Sequence, residues 1–196
     1  MSRNTQAELK DEVLGRIAQA IADVRESLSP LNESQLKWKP APKTWSVAEC
    51  LGHLVVSHDA YIPRITAATG STAHRKPSGH GDHQVGSTLI GKMLFKGVHP
   101  DTRRKISAPG VFRPSRANYP GSSVDAFIRC HESLALQVEN TAELDWHRIK
   151  VVSPASRFIR LRLGNVYRVL AAHAQRHVNQ AIRVTEVDKF PSSSTR

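Results

Sequence analysis

Apolar residues recur at helical spacing in four long stretches of the chain. Leu9, Val13, Leu14, Ile17, Ile21, Val24 and Leu28 define the first, opened by Thr5-Gln6-Ala7-Glu8, a capping-box pattern in which side chains at both ends of the motif satisfy backbone N–H groups. It stops at Ser29-Pro30, because a residue before proline is pushed out of the helical region. A second box, Ser46-Val47-Ala48-Glu49, opens a helix predicted from about Val47 to Thr66, with Pro63 set to kink or shorten its last turn. Ser122-Ser123-Val124-Asp125 opens the third, whose apolar face is Val124, Phe127, Ile128, His131, Leu134, Ala135 and Val138. The fourth carries Leu163, Val166, Tyr167, Leu170, His173, Ala174, His177, Val178 and Ala181 on one stripe and ends near Val187.

Between these stretches the pattern breaks down. Residues 31–45 hold two prolines and two tryptophans, too irregular for a long helix and too apolar for free solvent, so they are expected to pack across one end. From about Thr69 to Pro120 the chain is rich in glycine, proline and histidine, the composition of a connection, with one short helix expected from Val85 to Phe95. The expected fold is therefore all-α, a four-helix bundle with a long connection between its second and third helices. One domain is expected over residues 5–187, and the polar tail, 188–196, is expected to be disordered.

Composition narrows the class. No apolar run reaches the roughly 18 residues of a membrane span and the N-terminus lacks a secretory pattern, so a cytoplasmic protein without membrane contact is expected. Cys50 and Cys130, both inside helical patterns, read as reduced and buried. The net charge of +11 attracts anions. The basic stretch from Arg75 to Arg116 holds only Phe95 and Phe112 as aromatics and so lacks an interleaved pattern for stacking on bases, which disfavours nucleic acid as a partner. A homodimer through an exposed helix face is compatible with the pattern, without residues that demonstrate it.

The candidate chemistry lies in the ten histidines. His74, His80, His83 and His99 fall in the connection and are expected to be exposed, and His147 reads as a capping or surface residue. His173 and His177, four residues apart, lie on one face among apolar neighbours. Two inward imidazoles are either satisfied by carbonyls and water or are ligands for a divalent cation, which binds neutral imidazole. For a facing ligand, periodicity favours His58, central on its stripe, over His53 at the edge; His131 is available from the third helix.

The stretch LNESQLKWKPAPKTWSVAECLGHLVVSHDAY, with a Trp-Ser pair followed seven residues after the serine by histidine, resembles the second-helix region of DinB-like proteins. AAHAQRHVNQAIRV resembles their last bundle helix, in which H-x-x-x-H is followed by glutamine. The resemblance covers about residues 5 to 187 and implies metal ligands at His53, His173 and His177, choosing His53 over His58. His58, His131, Tyr167 and Arg176 are then neighbouring or alternative ligands, and Arg176 is also a candidate for binding an anionic substrate. It further implies a divalent ion, zinc or nickel foremost, and a metal-dependent enzyme, a thiol S-transferase or a hydrolase, acting on a small molecule and in the former case using a low-molecular-weight thiol. No catalytic acid or base is legible beyond the weak candidates His58, Asp59 and Tyr167. A non-catalytic metal-binding or stress-response module is the alternative.

Overall fold

A computed structural model describes residues 5–70, 89–99, 110–112 and 123–192. Four long helices dominate: α1 (Gln6–Ser27), α3 (Val47–Thr69), α5 (Ser123–Asn140) and α6 (Leu163–Thr185). Shorter elements are α2 (Glu33–Lys37), α4 (Leu89–Val98), a 3-10 turn (Gly110–Phe112) and an antiparallel pair of strands, β1 (Lys150–Val152) and β2 (Arg160–Arg162). The architecture is mostly helical, and α1 and α3 each pack against both α5 and α6. Among the described residues no helix is long and apolar enough to cross a membrane.

The helix starts follow local chemistry. Thr5 Oγ1 accepts from Glu8 N at 3.2 Å while Glu8 Oε2 accepts from Thr5 N at 2.9 Å, and Ser46 and Glu49 repeat the exchange at 3.1 and 2.8 Å. A third box, Asn32 with Gln35, opens α2. α3 runs through Pro63 to Thr69, longer than expected. Pro63 lacks the N–H that would donate to the carbonyl four residues earlier, so the helix continues past it with one ladder bond fewer. The helix expected at Val85 to Phe95 is found at Leu89–Val98; residues 85–88 lie outside the described residues, as do 193–196 of the tail and His74, His80 and His83.

The all-α expectation holds for the architecture, with one small strand pair added to it. Three residues each are too few for alternation to stand out, yet Val151 and Leu161 are fully buried between the helices while Lys150 and Arg160 face outward. The core combines Val13, Ile17 and Val24 of α1, Leu51 and Ile65 of α3, Phe127 and Leu134 of α5, and Tyr167 and Val178 of α6. Trp146 closes one end, stacked edge-on against Tyr167 with its Nε1 donating to Thr141 O at 2.8 Å. Gln6 ties the start of α1 to that end, donating to Ala142 O and Leu144 O and accepting from Trp146 N.

Candidate metal centre

α3 and α6 pack against each other, with Trp45, just ahead of α3, beside His177 and His53 beside His173. The Ser46–Glu49 box sets the first turn of α3, so that His53, two turns on, enters the interface at 2% exposure. His173 and His177, half-buried, project from successive turns of α6 toward it. The three ring centroids are 4.7 to 4.8 Å apart, and one ligand-capable nitrogen from each falls within 4.8 Å of the others. His53 Nε2 and His173 Nε2 are 3.0 Å apart.

The proton inventory of this cluster is constrained. Phe112 O lies 2.5 Å from His53 Nδ1, and a carbonyl only accepts, so Nδ1 carries the proton and Nε2 offers its lone pair to the cluster. Burial lowers the pKa of His53, against the Phe112 hydrogen bond. Burial, then the neighbouring His177 and His53, hold His173 well below the ordinary histidine range. Burial, then His53 and Arg176, bring His177 down to about 3, opposed by a hydrogen bond that the His177 ring donates to Gln180. All three are neutral at neutral pH.

Neutral imidazoles with converging lone pairs fit a divalent cation. Tetrahedral zinc with Zn–N bonds near 2.0–2.1 Å sets its nitrogens about 3.3 Å apart, close to the His53–His173 separation. The Phe112 carbonyl holds the His53 ring in the tautomer and orientation that a ligating histidine needs. Among the described residues the group has three members and no carboxylate or thiol.

His58, favoured by periodicity, does not join the cluster. Its Nδ1 contacts Asp59 Oδ1 at 3.1 Å, its Nε2 is buried without a hydrogen-bond partner among the described residues, and its ring is 6.4 Å from His131. Five residues separate His53 from His58, roughly 140° around the helix, so one faces α6 and the other α5. His131 is likewise committed elsewhere: Nδ1 donates to Phe127 O at 2.9 Å, the Phe127 ring stacks on it at 4.0 Å, and burial brings its pKa down to about 4. Tyr167 spends its hydroxyl on Thr141 and on Gln137 O; burial raises its pKa to about 12, which corrects its reading as a proton carrier. Arg176 Nη1 donates to His99 O at 3.0 Å, and His99 is half-buried against Phe95 instead of exposed. His147 is half-buried and accepts from Arg162 at 2.8 Å.

Two site residues escaped the sequence reading. Trp45, the residue before the α3 cap, lies against His53 at 4.9 Å and His177 at 5.4 Å and walls one side of the cluster. Its place in the Trp-Ser pair was the available signal. Phe112 acts through its carbonyl, which every residue has, and its ring stacks on Tyr61 at 6.1 Å; no side-chain pattern marks such a role. Cys50 is fully buried with its pKa pushed up to about 12 by desolvation, and burial raises that of Cys130 as well, so both thiols are protonated and enclosed.

Compared with known proteins, residues 16–181 match a family model described as the DinB superfamily. No curated protein and no solved structure matches the chain.

Proposed function

The chain belongs to the DinB superfamily, and from that membership together with the histidine cluster we propose that it is a metal-dependent enzyme acting on a small molecule, a thiol S-transferase or a hydrolase. In this reading α1, α3, α5 and α6 form a four-helix bundle over residues 5–187, and His53, His173 and His177 hold a divalent ion, zinc or nickel foremost. The observation that carries it is the convergence of three neutral imidazoles without a fourth protein ligand among the described residues. Structural zinc sites are closed by four protein ligands, whereas catalytic sites leave a position for a reactant. An ion bound there supplies Lewis acidity, favouring the deprotonated form of a water or thiol presented to it.

The protein's own residues do the rest. Phe112 fixes the His53 tautomer, Trp45 shields the cluster from water on one side, and Arg176, beside His177, offers positive charge to an anionic reactant. A thiol reaction requires an external low-molecular-weight thiol, because Cys50 and Cys130 are enclosed and protonated. Their unpaired state accords with a cytoplasmic setting.

The test is elemental analysis of tag-free protein beside His53→Ala, His177→Ala and His58→Ala. About one equivalent of metal is expected in the wild type and His58→Ala and none in the other two. Activity with added thiols and electrophiles, or with hydrolysable esters and amides, then separates the two reactions. Failure to bind zinc, nickel, manganese or iron at neutral pH overturns the enzyme reading and leaves a binding module with a histidine-lined core.

A further inference from the structure

The β1–β2 hairpin has a second, unrelated surface. Its inner face, Val151 and Leu161, is fully buried, and Ile159 packs on the same core. The ladder continues one step beyond the strands, with Ser153 N donating to Ile159 O at 2.8 Å; Arg160 and Arg162 alternate with buried Leu161 onto the outer face, and Phe158 stands in the Ser156–Ile159 turn that leads into β2. The two arginines lie about 7 Å apart at the two-residue strand repeat. Phe158 is 81% exposed, a high value for a phenylalanine, and the Arg157 guanidinium lies 4.9 Å from its ring centroid.

Charge on this face is unbalanced. Lys150 is the direct cross-strand partner of Arg162, a like-charge pairing that destabilises a hairpin on its own. His147 orients the Arg162 guanidinium by accepting from it through Nδ1 at 2.8 Å. Lys150, Arg157 and Arg160 make no ion pair among the described residues. From Trp146 to Thr185 the sequence contains no aspartate or glutamate. A surface that keeps a repulsive pair and an unshielded aromatic side by side is complementary to a ligand with regularly spaced negative charge and flat rings.

We propose that the outer face of this hairpin binds single-stranded nucleic acid, with Lys150 and Arg160 on phosphates and Phe158, exposed in the adjoining turn, stacking on a base. Arginine forks match phosphate oxygens bidentately, and an exposed ring with a guanidinium on one side leaves the other side for a base. A bilayer fits less well: interfacial insertion takes several apolar side chains projecting together, and Phe158 is the only exposed large apolar residue of the hairpin. The expectation against nucleic acid rested on the basic connection, whereas the exposure of Phe158 beside this basic face emerges only from the folded hairpin. The surface is distinct from the histidine cluster, since Arg162 precedes His173 by eleven residues, about 16 Å along α6.

Fluorescence anisotropy of labelled oligothymidylate and a single-stranded RNA of the same length tests this with the full chain. Binding is expected to weaken steeply with salt, and Lys150→Glu with Arg160→Glu to weaken it at least tenfold and flatten the salt slope by about two units. Phe158→Ala is expected to cost roughly tenfold with the slope unchanged. The control, Arg64→Glu with Lys189→Glu, makes the same change in net charge at exposed positions elsewhere and is expected to stay within about threefold of wild type at the salt concentration used. Equal losses in hairpin and control pairs would assign the binding to net charge alone. That result, absence of binding near physiological salt, or tighter binding to phosphatidylserine vesicles than to either oligonucleotide overturns the proposal.

Discussion

Acid should destabilise the metal-free protein strongly, because its buried histidines cannot take up protons that the unfolded chain accepts. Desolvation lowers the pKa of His53, His58 and His173, and brings His131 to about 4 and His177 to about 3. A histidine in the unfolded chain titrates near 6.5, so below that pH the unfolded state binds more protons and stability falls. The loss starts as pH drops through about 6.5 and continues until each folded pKa is reached. At pH 5, a pH 1.5 units below the unfolded pKa, each fully depressed histidine has cost about 2 kcal/mol, so His131 and His177 together remove about 4 kcal/mol. That is a large part of the roughly 5–15 kcal/mol available to a domain. Urea denaturation with chelator present, followed by circular dichroism at pH 7.5 and pH 5, should show the midpoint falling by about 2 M for a typical slope. His131→Leu should reduce the pH dependence by about one proton and leave that of the cluster in place. A midpoint that moves by less than about 0.3 M over this range would refute the claim that these rings are held neutral by burial.

Gln6→Ala removes three long-range hydrogen bonds and strands two carbonyls and an N–H at the Trp146 end; a loss of about 3 kcal/mol is expected by chemical denaturation, and one below about 1 kcal/mol would show that water replaces the amide. Ser46→Ala and Thr5→Ala each break a capping box and should each cost about 1 kcal/mol, but only the former should weaken zinc binding in a competition titration, since it alone loosens the turn that aims His53; equal affinities in the two variants would disconnect the cap from the site. Because Trp45 lies within 5.4 Å of His53 and His177, its fluorescence should respond to added nickel, and Trp45→Phe should abolish the response; an unchanged signal in that variant would assign it to Trp38 or Trp146.

Local chemistry was written plainly along the chain. The capping boxes at Thr5 and Ser46 open helices where they were expected, because the motif's hydrogen bonds close within four residues. The H-x-x-x-H spacing placed His173 and His177 on one face of α6 for the same reason, that helical geometry alone relates them. Short strands were not legible, since three residues carry too little alternation and their pairing depends on a partner ten residues away. Nor was the choice between His53 and His58 legible from periodicity. α3 is buried on two sides, against α6 and α5, and an apolar stripe records that a face is covered without recording by which neighbour. The crossing of α3 over α6 turns His53 toward His173 and leaves His58 beside His131, and the chain's return through Gly110–Phe112 sets a carbonyl on His53 Nδ1. Capping and periodicity locate the long helices and the side chains that share a face; which faces meet follows from packing between residues far apart in the chain, which fixes the rotation of one helix against another.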